Sequence, residues 1–122
     1  MEILAHILVA IVAIEHLYIL YIEMFVWTTA GRRVFRGALP DHLFEPTQGL
    51  AANQGLYNGF LAAGLGWSFL VDAPWQSHLR LFFLGCVITA ATYGAVRSSR
   101  SILLKQGLPA ILALVAVLAT LL

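Results

Sequence analysis

Three ionisable side chains, Glu15, His16 and Glu23, interrupt an apolar run in "EHLYILYIEMF", residues 15–25. On a helix turning about 100° per residue, His16 and Glu23 fall about 20° apart on one face, and Glu15 flanks His16 at about 100°. Two carboxyls and an imidazole this close are a candidate catalytic acid–base set, because carboxyls in different surroundings divide the roles of acid and base. A single carboxyl in an apolar barrier can also carry a proton or a cationic solute. A second polar group lies in "LAANQGLYNGFLAAGLGW", where Asn53, Gln54, Tyr57 and Asn58 cover about 140° of one helix face. These four are the candidate substrate-binding residues. Their other reading is interhelical glue, worth ~0.6 kcal/mol per bond. Thr89, Thr92 and Tyr93 repeat at i, i+3 and i+4 as a weaker donor face.

No metal is expected. His16 and Glu23 are seven residues apart, about 10 Å along a helix axis. Only amides face them from the second polar group, whereas zinc takes Cys, His, Asp or Glu. No second apolar segment offers a histidine for haem, and no cofactor fingerprint is present, so no cofactor is expected. Cys86 is the single cysteine and reads as a small apolar residue.

What must position these groups is a set of membrane helices. Of 122 residues, 61% are hydrophobic and only 11% are charged, against roughly 25% charged in a soluble domain. Mean hydropathy is +0.87. The net charge of +1 gives no basic surface for nucleic acid, which is excluded as a partner. The lipid bilayer is the expected partner. The start, "MEILAH", is acidic and precedes a long apolar run without a cleavage site, so it reads as a retained span.

Four segments approach the roughly 20 apolar residues that a spanning helix needs: about 3–27, 50–71, 79–96 and 102–122. The expected fold is all-α, one transmembrane domain over residues 1–122 forming a four-helix bundle. "KQGLP", residues 105–109, is expected to interrupt the last span, and residues 28–49 form the one long loop, expected in the cytoplasm. Arg32, Arg33 and Arg36 lie in that loop, Arg97, Arg100 and Lys105 around the last, and only Arg80 beside the middle one. Positive residues mark the cytoplasmic side, so both termini are expected outside, in a multi-pass protein of the cell membrane, the bacterial inner membrane by preference. Gly55, Gly59 and Ala63, at four-residue spacing, should let another helix approach closely. Glu15, His16 and Glu23 should then face inward and meet Asn53, Gln54 or Asn58, because lipid offers them no partner.

"AIEHLYILYIEMF", "LAANQGLYNGFLAAGL" and "SRSILLKQGLPAILAL" together resemble the bacterial and fungal membrane-protein family catalogued as domain of unknown function 1304. The resemblance runs over nearly the whole chain and implies a short four-span integral membrane protein, with no activity attached. Lys105 departs from the apolar residue expected before "QGLPA". In its length and its first-span glutamate the chain is also similar in architecture to the small multidrug resistance transporters.

Three readings follow. In the first, Glu15 carries a proton or small solute, His16 relays the proton and Asn53, Gln54 and Asn58 bind the solute. A homodimer is expected there, since four helices are few to enclose a pathway. In the second, Glu15, Glu23 and His16 are the acid–base set of a membrane enzyme acting on a lipophilic ligand. The third is a scaffold or assembly subunit whose polar seam only sets helix pairing.

Overall fold

Long runs of Leu, Ile, Val and Ala free of proline favour helix wherever water cannot serve the backbone, because a helix satisfies its own peptide groups. The computed structural model describes residues 1–122, and 80% of them are helical with no strand. Helix α1, Glu2–Phe25, buries Ala5, Val9, Val12, His16, Ile19 and Ile22 at three- and four-residue spacing. It ends at Val26, whose φ of −134° and ψ of 29° leave the helix. Helix α2 is Gln48–Trp67 and helix α3 is Trp75–Arg97. Helix α4 runs over Arg100–Ala119. It starts beyond Ser99, whose hydroxyl accepts the Ser101 N–H, and passes through a π turn at Leu103–Gly107.

Three of these helices, α1, α3 and α4, are long and apolar enough to cross a membrane. Helix α2 matches them in length, but Gln48, Asn53, Gln54, Asn58 and its glycines dilute its hydropathy. The helices pack in chain order as a ring: α1 touches α2 and α4, and α3 touches the same two. Their shared core holds Val9, Val12, Leu65, Leu84, Val87 and the Ala110, Ala113 and Ala116 stripe of α4. Between apolar helices in lipid, close packing rather than expulsion of water holds the contact. The glycines of α2 permit it. A β-carbon on Gly55 would stand 2.8 Å from Met24 Cγ and 3.2 Å from the Leu20 carbonyl, and one on Gly59 would collide with the Leu20 side chain. Ala63, the third member of the expected stripe, is exposed, and its neighbour Ala62 is buried instead.

Two local departures have physical causes. The last helix is not interrupted at "KQGLP". Pro109 has no N–H for the Lys105 carbonyl and its ring crowds that oxygen, so the backbone widens by one residue. The Leu108 N–H bonds back five residues to Leu103. Helix α2 stops at Trp67 rather than continuing to Val71, where the Phe69 and Leu70 N–H groups bond back only three residues, to the Gly66 and Trp67 carbonyls, and the chain tightens out of the α-helix.

The long loop is folded onto the end of the ring where α1 finishes and α4 begins. A second π turn, Trp27–Gly31, continues α1. Trp27 packs on Phe44 and Phe35 at centroid distances of 4.9 and 5.4 Å and donates to Thr47 Oγ1 at 3.1 Å. Arg32 ties the loop across itself, pairing with Asp41 at 3.0 Å. Gly37, at φ 86°, occupies the left-handed region that glycine enters without strain.

Candidate functional site

Glu15 borders a cavity of about 360 Å³ between α1, the loop turn at 34–38 and the start of α4. This lies at the lower end of the ~300–1,000 Å³ usual for small-molecule sites. Helix α1 contributes Glu15, Tyr18 and Ile19, the loop contributes Arg36 and Gly37, and α4 contributes Lys105 and Gln106, with Ser99 and Ser101 around its start. One carboxyl oxygen, Glu15 Oε2, is buried with no hydrogen-bond partner. A buried polar atom without a partner forgoes about 1–3 kcal/mol.

Glu23 occupies a second cavity of about 340 Å³, with Trp27, Thr47 and Gln54. Its Oε1 accepts from Asn58 Nδ2 at 3.4 Å, while that amide also donates to the Gln54 carbonyl at 3.2 Å. Its Oε2 is buried and unpartnered as well. Phe35 and Ala38 line both cavities, so the loop turn is the wall between them.

His16 is 1% exposed and lines neither cavity. Its Nδ1 sits 2.8 Å from the Val12 carbonyl. A carbonyl only accepts, so Nδ1 carries the proton and Nε2 is left as the acceptor. Asn53 and Tyr57 are exposed, with Tyr57 set edge-on to Phe60 at 5.8 Å. Of the residues singled out in the sequence, the fold therefore joins Glu23, Gln54 and Asn58. It holds Asn53 and Tyr57 outside that group and turns Glu15 away from α2, toward α4 and the loop. No three His, Cys, Asp or Glu side chains gather at one point.

The family model described as "Protein of unknown function (DUF1304)" matches residues 10–118. The chain belongs to this family. It is similar to a protein of Lactococcus lactis subsp. lactis (strain IL1403) described as "Uncharacterized protein YpaA", with 36% identity over 116 residues, 94% of this chain and 97% of that protein. No solved structure matches.

In this DUF1304 chain, sequence reasoning missed the residues that share the Glu15 cavity. Arg36 and Lys105 read as topological charges, and Ser99, Ser101 and Gln106 carried no signal alone. The usable cue was Pro109, which forces the π turn that carries Lys105 and Gln106, and such turns recur at functional sites. Arg80 was missed too. It is only 3% exposed, donates from Nε to Ser68 Oγ at 3.1 Å and lies 5.0 Å from the Phe69 ring centroid.

Proposed function

We propose that this DUF1304 member is a four-span membrane protein that binds a small solute at the Glu15 cavity and carries it, or a proton, across the bilayer. The observation that carries this reading is Glu15 itself, which lines a cavity of about 360 Å³ and whose Oε2 finds no hydrogen-bond partner within the chain. A carboxyl used only to pair helices would find its partner inside the chain, as Glu23 Oε1 does at Asn58.

Counting α2 as a span is supported by its 20 residues, which rise about 30 Å, the thickness of the hydrocarbon layer. Its place in the ring between α1 and α3 supports the same count. Four spans and the arginine asymmetry favour both termini on the non-cytoplasmic side, with the Glu15 cavity at the cytoplasmic end. The outward-facing Asn53 and Tyr57 favour a homodimer, in which a second copy would keep these groups from lipid. Glu23, Gln54 and Asn58 would form the neighbouring polar station along the path.

Native mass spectrometry of the protein purified from its membrane tests the reading. The wild type should carry a small-molecule mass that Glu15→Gln loses while keeping its helicity and oligomer size. Equal occupancy of the two proteins, or a wild type that neither carries nor is stabilised by any solute, would remove the proposal.

A further inference from the structure

Opposite charges share the Glu15 cavity without neutralising one another. Arg36 and Lys105 line it with Glu15, yet the chain's ion pair is Arg32 with Asp41. Both cations are exposed, and each is carried on a local backbone feature. Arg36 rides on a turn fixed by the positive φ of Gly37 and by a bridge between Arg36 and Leu39. Lys105 rides on the π turn imposed by Pro109, which faces the same cavity from α4.

Glu15, with an unpartnered Oε2, stands at one wall, and Arg36 and Lys105, both exposed and neither in an ion pair, stand at the others. A ligand carrying only one sign of charge would leave half of this lining unmet. We infer that the cavity takes a small zwitterion, with a primary ammonium on Glu15 and an oxyanion between Arg36 and Lys105. Ser99, Ser101 and Gln106 supply neutral hydrogen bonds between the two charges, and Ile19, Phe35 and Ile102 give the apolar wall. This rests on the solute-binding reading above and narrows it to one ligand chemistry. The same chemistry occurs in a free amino-acid-like solute and in the headgroup of an amine-bearing phospholipid.

Binding to the full-length protein in detergent, measured with phosphoethanolamine, ethanolamine and inorganic phosphate, tests the class. Phosphoethanolamine should bind at least tenfold tighter than either half alone, and Glu15→Gln or Lys105→Gln should each erase that preference. If the source is the lipid, nanodiscs of phosphatidylethanolamine should raise the melting temperature above that in phosphatidylcholine, and Glu15→Gln should abolish the difference. Either pattern supports the inference and identifies the source. It is overturned if ethanolamine or phosphate alone binds as tightly as the zwitterion and the nanodiscs do not differ, or if no probe binds and the nanodiscs do not differ. A Glu15-dependent native ligand bearing one charge or none would sink the zwitterion while leaving the solute site standing.

Discussion

At the scale of single residues, the chain divides its buried polar groups into those that hold the fold and those left open. Arg80 belongs to the first kind. Its Nε finds Ser68 Oγ at 3.1 Å, and its Nη2 is buried without a partner. A buried charge with one hydrogen bond depends heavily on that bond. Ser68→Ala should therefore lower stability by about 1–3 kcal/mol, read as a fall in melting temperature in detergent. Arg80→Met removes the stranded charge, so Ser68→Ala combined with Arg80→Met should cost less than Ser68→Ala alone. A neutral Ser68→Ala, or strict additivity in the pair, would show that Ser68 does not serve Arg80. In the sequence Arg80 falls beside the second loop with no sign of its burial, because its partner Ser68 lies across that loop, just past the end of α2.

At the scale of elements, glycine decides how closely helices meet, and two glycines of similar appearance behave oppositely. Gly55 faces α1, where an added β-carbon would meet Met24, the Glu23 β-carbon at 3.0 Å and backbone oxygen of Leu20. Side chains can yield, but the carbonyl can move only with its helix. Gly85 on α3 has nothing within 4 Å of that position. Gly55→Ala should destabilise by pushing α1 from α2, whereas Gly85→Ala should stabilise by up to ~1 kcal/mol through the backbone entropy it removes. Thermal melts of the two variants check the opposition, and a shift of the same sign in both would refute it. The Gly55–Gly59 contact was legible because small residues at four-residue spacing mark a helix interface whatever the partner. The π turn of α4 was not: "KQGLP" announced a disturbance, but proline alone does not say whether a helix breaks or widens.

At the scale of the whole molecule, the same helix that the sequence marked as chemical turns out to serve two neighbours. Helix α1 packs against α2 on one side and α4 on the other. The wheel that set Glu15 about 100° from His16 already separated it from Glu23. What one chain read in order could not reveal is which neighbour takes which face. That depends on which residues about ninety apart in the chain come to line one cavity, such as Glu15 and Lys105. No amide of α2 lines the cavity of Glu15, whereas Asn58 Nδ2 lies 3.4 Å from Glu23 Oε1. The ring also makes orientation a single choice for the entire chain. The folded loop with Arg32, Arg33 and Arg36 and the α3–α4 connection with Arg97 and Arg100 lie at the end of the ring where α1 finishes and α4 begins. The connection between α2 and α3 lies at the other end, with Asp72 and His78 near it and the one nearby arginine buried. If positive residues stay inside, a reporter fused after Leu122 should be active only outside the cytoplasm, and a cysteine at Arg33 should be labelled only from within. Adding two arginines between Asp72 and Trp75 should weaken this orientation and produce a mixed population. A C-terminal reporter active in the cytoplasm would invert the topology. It would then place the Glu15 cavity at the outer surface, so that the proposed solute would enter from the opposite side.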